Sequence, residues 1–326
     1  MMQENDASKG GLMINKSLFS FSFFDRELIQ QKIRREMLQL NYVNLTFMIS
    51  LHLLFVFSLF FVPWEEEWNA LLAGERMPLL LWSLGLYWFT GLGITMGYHR
   101  LWSHRTFKAK ALVECILLVA SSMALQNSAF KWCSDHRTHH SFTDSDKDPY
   151  DATCGFLWSH LLWVFYDKPQ VHLSSSSLKT LFPNIGDLIQ NPLLRWQHRY
   201  YFLIGPVLTF AIPLFLGFLY GDILSFFIWA GLARLLFVFH STFLINSLAH
   251  TWGKRPHSQK DSAKDSLLCA FLALGEGYHN YHHTYPQDYR NGIRLYHFDP
   301  TKWMIRGLSW IGLTWDLKKV QRRQSF

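Results

Sequence analysis

Apolar positions in this chain gather into long runs. Hydrophobic residues dominate roughly Tyr42–Val62 and Leu79–Tyr98, then Tyr201–Tyr220 and Ile223–Ile245. At helical rise about 20 residues cross the hydrocarbon core of a bilayer, so each run predicts a transmembrane helix. Only Gly221 and Asp222 separate the last two, which makes them an antiparallel hairpin. Trp64, Trp68, Tyr200 and Tyr201 fall near the run ends, where interfacial aromatics belong. A fifth stretch, Ala111–Phe130, is apolar enough to span but contains Glu114, Gln126 and Asn127. It is read as a helix buried against, or dipping into, the cytoplasmic face. Phe156–Tyr166 is too short to span and suits an interfacial helix. Ser174–Ser177 reads as a polar linker, and no internal repeat is evident. The first 35 residues are charged and lack a long apolar run, so no cleavable signal peptide is expected.

Charge orients the spans. Of 31 Lys and Arg, six precede the first run, eleven lie between the second and third, and twelve follow the fourth. Arg76 alone occupies the two opposite loops, and Arg234 lies inside the fourth span. This bias places both termini, with residues 99–200 and 246–326, in the cytoplasm. It also accounts for the net charge of +7 through anionic lipid heads, without nucleic acid. The fold expected is an all-α integral membrane protein, four transmembrane helices capped by a cytosolic helical His-rich domain. Residues 1–40 would form a cytosolic N-terminal segment and 41–326 the membrane domain. A composition of 49% hydrophobic and 17% aromatic residues excludes disorder, and four scattered cysteines exclude a disulfide framework.

Histidine supplies the chemistry. Nine of 16 histidines fall into HRLWSH (His99, His104), HRTHH (His136, His139, His140), HNYHH (His279, His282, His283) and NSLAH (His250). In an HxxHH segment, positions i, i+3 and i+4 share one helix face, so three imidazoles project together. His99 and His104 are about 500° apart on a regular helix and converge only if that helix ends or bends. All nine lie on the side assigned to the cytoplasm. Neutral imidazole is the commonest metal ligand, and nine exceed one ion's capacity, which suggests two metals. No HExxH is present, so a redox metal acting on a lipid chain is expected over a hydrolytic zinc. Gly91-Leu92-Gly93 fails the GxGxxG pattern and is read as helix packing. His52, His160, His172, His198, His240, His257 and His297 are set aside, His52 and His240 as ordinary residues within spans. Arg234 is an intramembrane charge that demands a partner.

These boxes, with DHRTHH and GEGYHNYHHTYPQDYR in full, closely resemble those of the membrane fatty acyl desaturases. The best match is the acyl-CoA Δ9 (stearoyl-CoA type) branch, from about residue 40 onward. The resemblance implies a di-iron centre that uses O2 to remove two vicinal hydrogens from a saturated chain. It implies His99, His104, His136, His139, His140, His250, His279, His282 and His283 as iron ligands, with Asn246 acting through a water. Gln126, Trp132 and Thr242 match positions at the bend of an acyl tunnel, and Asp135 a position near the thioester head. Ser134 stands where animal enzymes carry Arg, and Thr153-Cys154-Gly155-Phe156 lacks their cations, so an acyl carrier or intact lipid stays open beside acyl-CoA. Phe243 replaces a Trp. A separate ferredoxin, or a haem cytochrome with its reductase, would supply electrons, and Arg137, Lys254 and Arg255 could dock it. A membrane lipid hydroxylase is the alternative enzyme, and a metal or lipid transporter the alternative class.

Overall fold

The computed structural model describes residues 23–167 and 177–320. Among these, four helices are long and apolar enough to cross a membrane: Tyr42–Phe61, Met77–Ser103, Pro192–Tyr220 and Ile223–Thr251. They contain the four predicted runs almost whole, but the third begins earlier, at Pro192, and the second and fourth continue past the apolar stretch, to Ser103 and Thr251. Hydropathy ends where His99 and His250 begin, whereas the backbone hydrogen bonds do not. The Gly221–Asp222 link makes the expected hairpin: Gly221 ends the third span at φ 72°, and Asp222 Oδ1 accepts Ser225 N at 3.1 Å to cap the fourth.

The helices, in chain order, begin with α1 (Arg26–Arg35), α2 (Tyr42–Ser58) and α3 (Trp64–Leu72), followed by α4 (Met77–Leu92). The cap then contributes α5 (Ala111–Ser122), α6 (Ala129–Phe142), α7 (Phe156–His160) and α8 (Leu178–Leu181). The hairpin is α9 (Pro192–Tyr220), the short α10 (Ile223–Ser225) and α11 (Arg234–Thr251). The chain closes with α12 (Leu267–Leu272), α13 (His279–Thr284) and α14 (Pro300–Trp310). Two-residue strands tie distant segments: β1 (Gln39–Leu40) pairs antiparallel with β3 (Tyr166–Asp167), and β2 (Lys108–Ala109) with β4 (Thr314–Trp315).

Residues 93–103 and 226–233 are π-helical, continuing α4 and joining α10 to α11. Gly93 is required by close packing, since a Cβ there would stand 2.3 Å from Ser121 N. The glycine pair in this span is therefore a contact surface, as read from sequence. Helix α5 inserts between α4 and α9. Its end, at Met123, meets Arg234: the guanidinium donates to Met123 O at 3.0 Å, Ala230 O at 3.1 Å and Thr209 O at 3.2 Å. With a further bond to Thr90 Oγ1 of α4 at 3.4 Å, Arg234 is a buried pin for four helices, satisfied by three carbonyls and a hydroxyl. The stretch 111–130, read as a helix buried against or dipping into the cytoplasmic face, comprises α5, the turn after it and the start of α6. The stretch at 156–166 is a short helix followed by a 3₁₀ turn. Of the polar linker, only Ser177 lies within the described residues, where it caps α8.

The N-terminal segment, where described, packs on the domain. Lys32 forms a buried ion pair with Asp151 at 2.9 Å, and Ile29 packs with Cys154 and Trp158.

Candidate metal centre

The nine predicted ligands converge as two sets. His99, His104, His136, His140 and His282 form one, and His139, His250, His279 and His283 the other, each with ligand nitrogens within 4.8 Å of one another. Nε2–Nε2 separations are 2.8 Å for His104–His136, 3.1 Å for His99–His282 and 3.1 Å for His140–His282. In the second set they are 3.0 Å for both His250–His279 and His279–His283, and 3.3 Å for His139–His283. Metal–nitrogen bonds of about 2.1 Å at right angles place neighbouring nitrogens about 3.0 Å apart, so both sets have the spacing of a shared ion.

Local backbone explains the convergence. The π-helical segment hydrogen-bonds i to i+5, and His104 N accordingly donates to His99 O at 3.1 Å. The five-residue spacing that no α-helix would align becomes one turn, and the two rings lie 4.8 Å apart. Each HxxHH helix straddles both sets. On α6, His136 and His140 (i, i+4) face the five-histidine set while His139 (i+3) faces the other. On α13 the sense is reversed, with His279 and His283 in the four-histidine set and His282 in the five.

Carboxylates and a hydroxyl orient the rings from behind, a layer the sequence reading missed. His139 Nδ1 donates to Asp148 Oδ1 at 2.9 Å. His250 Nδ1 donates to Ser262 Oγ at 2.7 Å, and that hydroxyl donates to Asp144 Oδ1 at 2.5 Å. His99 Nδ1 lies 2.8 Å from Glu276 Oε2, whose other oxygen binds buried Arg100 at 2.9 Å. These contacts leave Nε2 free to ligate, as in carboxylate–histidine–metal arrangements. Burial, reinforced by neighbouring imidazoles, holds His104, His136, His140, His279, His282 and His283 well below the ordinary histidine value, which is the neutral, ligating form. At His139 burial acts downward too, but Asp148 outweighs it and raises the ring. The donor set fits two metal ions.

A cavity of about 770 Å³ adjoins the centre and is lined by His99, His136 and His279. Gln126, Trp132, Asp135, Thr242 and Asn246 also face it. Three of these form one hydrogen-bonded knot: Gln126 Nε2 donates to Thr242 Oγ1 at 2.9 Å, and Trp132 Nε1 to Gln126 Oε1 at 3.3 Å. Asp135 is held by Lys131 at 2.7 Å. Arg137, read as a dock, is spent on Asp187 and on the carbonyls of Trp102, Ser103 and Asn184.

His52 and His240, set aside as ordinary residues of their spans, meet each other. His52 Nδ1 binds Met48 O at 2.7 Å and its Nε2 meets His240 Nε2 at 3.1 Å. His240 Nδ1 meets His160 Nε2 at 3.0 Å, and His160 Nδ1 meets Ser247 Oγ at 3.0 Å. Neutral imidazoles, with one donor and one acceptor each, can form such a chain. Burial, then the proximity of His240, pushes His160 down to about 4. The chain backs Phe243, a cavity-lining residue 5.9 Å from the His160 ring.

Four helices able to span a membrane, with two histidine sets fit to bind metal beside a largely apolar cavity, define a membrane protein with a candidate metal centre. The fatty acid desaturase family model matches residues 76–309, and the chain belongs to that family. It is 38% identical over 279 residues to a probable acyl-CoA desaturase of Schizosaccharomyces pombe, covering 85% of this chain and 54% of that one. It is 36% identical to stearoyl-CoA desaturase 5 of Bos taurus, covering 86% and 80%. An acyl-CoA Delta(11) desaturase of Trichoplusia ni is also 36% identical, covering 86% and 77%. The chain thus spans about half the length of the yeast relative and most of the other two.

Proposed function

We propose that this protein is an O2-dependent di-iron acyl desaturase that places a cis double bond, at Δ9, in a saturated acyl chain carried by coenzyme A. The observation that carries this reading is the cavity with the Gln126–Trp132–Thr242 knot beside two histidine sets. The balanced reaction takes one acyl chain, one O2, two electrons and two protons to one alkene and two waters. Iron in the two sets would supply O2 activation. The chain's own residues do the rest. Nine imidazoles hold the ions, with Asn246 placed to position a water. Asp148, Ser262 and Glu276 fix ring orientation. The cavity wall excludes water, and the knot sets which methylenes lie against the centre. Acyl-CoA is the carrier in the relatives' names, and regiochemistry differs among them, so Δ9 rests on tunnel residues and not on identity. Both termini and the centre are assigned to the cytoplasmic face by the distribution of basic residues, where a separate ferredoxin or haem cytochrome would deliver electrons. Expression in cells that make no unsaturated fatty acids, followed by mass spectrometry of cellular lipids, tests this. A chain short of two hydrogens with a bond at carbon 9 is expected; a chain that gains one oxygen, or an unchanged lipid profile, overturns it.

A further inference from the structure

The distribution of basic residues assigns 246–326 to the cytoplasmic side, yet the cap carries an extended apolar face. We infer that α12, the turn after it and the outward face of α14 form a re-entrant element seated among the acyl chains of the leaflet on the cap side. Its partner is bilayer lipid.

Depth carries the argument. The outer end of the second span is marked by Arg76, which pairs with Glu67 and with Asp222 at the start of the fourth. Counting from Met77, Tyr87 and Gly91 lie about 15 and 21 Å along the helix, well inside a core about 30 Å thick. The α12 turn reaches that level. The Tyr87 hydroxyl donates to Leu272 O, and Leu274 Cδ1 lies 2.7 Å from where a Gly91 Cβ would stand. The Trp88 ring lies 6.5 Å from Phe298, which packs on Phe271 at 5.2 Å and Trp303 at 5.7 Å. The fourth span reports the same depth: Phe237, about 21 Å from Ile223 by the same rise, meets Tyr87 at 5.1 Å.

The surface at this depth suits lipid. Helix α12 reads LLCAFL, with Leu267 74% and Phe271 65% exposed. On α14, Trp303, Met304 and Trp310 point outward. Together with Trp88, Leu84 and Leu81 of the second span they make one face, continuous with the surface that already contacts the bilayer. Non-helical backbone at membrane depth is tolerated only where protein buries and satisfies it. Ala273, Leu274 and Glu276 are buried, Gly275 N donates to Ala270 O at 2.8 Å, and Thr301 Oγ1 donates to Leu274 O at 3.0 Å. Gly275, at φ 103°, makes the reversal. Arg306 against Trp310 and Arg294 against Tyr296 supply the cation–aromatic pairs expected at headgroup level. The returning chain runs through Glu276 to His279, so lipid would anchor the segment that carries three ligands.

Single nitroxide labels test this in the full protein, with Cys115 replaced by Ser, reconstituted in phosphatidylcholine vesicles. The sites are Leu268→Cys, Phe271→Cys, Met304→Cys and Trp310→Cys, with Lys260→Cys as the water-exposed reference. Collisions with O2 and with a water-soluble nickel chelate are measured for each. Nickel access at Leu268, Phe271 and Met304 should fall at least several-fold below Lys260 while O2 access rises, and at Trp310, at headgroup level, it should fall less but still below Lys260. Equal nickel access would overturn the inference. So would labels that neither reagent reaches and that couple magnetically between chains, since a second copy would then cover the face. Four sites on two helices keep the outcome decisive if one variant fails to fold.

Discussion

Replacing Asp148 by Asn should release one metal ion and spare the other. Both Asp148 oxygens are acceptors: Oδ1 takes His139 Nδ1 at 2.9 Å and Tyr150 N at 2.9 Å, and Oδ2 takes Asp144 N at 3.1 Å. An amide of the same shape offers one acceptor oxygen, so its NH2 must face an N–H group wherever it points. A buried donor orphaned in this way costs about 1–3 kcal/mol. The charge on the bond to His139 is lost as well, and charge-assisted bonds are about twice as strong as neutral ones. Loss of a group behind a ligand typically costs about 10–100-fold in metal affinity, or roughly 1.4–2.7 kcal/mol. Asp144 sits in the same loop and reaches His250 through Ser262, so the loss falls on the four-histidine set alone. Metal content measured after dialysis against graded chelator should show two equivalents leaving in separate steps, the first at about 10–100-fold lower chelator than in the parent. Glu276→Gln should do the same through His99 and the five-histidine set. The double variant should then retain little metal. If it still holds one equivalent, or if Asp148→Asn releases both ions together, the partition into two sets is wrong.

Three further outcomes are expected. His250→Ala should abolish turnover and lower metal content, whereas Asn246→Ala should keep most of the metal with reduced activity; metal and fatty-acid analysis of the two separates a ligand from a water-positioning group, and the reverse pattern would refute the assignment. Thr242→Trp breaks the Gln126 knot and fills the cavity, so conversion of long chains should fall before that of short ones; equal loss at every length, by lipid mass spectrometry, would remove the knot from the tunnel. His240→Leu strips partners from ring nitrogens of both His52 and His160, at about 1–3 kcal/mol for each group left buried without a bond, and an unchanged thermal midpoint would show that the chain does not couple α2, α7 and α11.

Much of this was legible in the chain, and the limits have physical causes. Apolar runs announce spans because hydrocarbon tolerates little else for about 20 residues. They understate the second and fourth, because a helix can leave the membrane without breaking. The HxxHH boxes announce clustered ligands, but not their division. On a helix, i and i+4 differ by about 40° while i+3 and i+4 differ by about 100°. That difference would have hinted that i+3 serves another ion; which ion it serves depends on how α6 and α13 face each other. Asp148, Ser262 and Glu276 carry no local pattern, since each acts on a histidine brought to it by folding. The chain of His52, His240 and His160 was missed for the same reason, because three separate elements contribute one ring each.

Helix length sets where the chemistry happens. His99 is about 33 Å from Met77 along the second span and His250 about 40 Å from Ile223 along the fourth, against about 30 Å of hydrocarbon. Both histidines therefore stand past the core, on helices whose other ends are locked together by Arg76 and Asp222. The cavity extends from His99, His136 and His279 to Met48, Leu125 and Phe239, so an acyl chain can lie with its methylenes among apolar side chains and one bond against the histidines. Arg234 fixes the same two spans at mid-depth and ties them to the end of α5. A shift of one span by a single residue would move its ligand by about 1.5 Å, most of a metal–nitrogen bond length. The π-helical segments lie in these two spans and no others among the described residues, and a change of span register would part His99 and His250 from the rest of their sets.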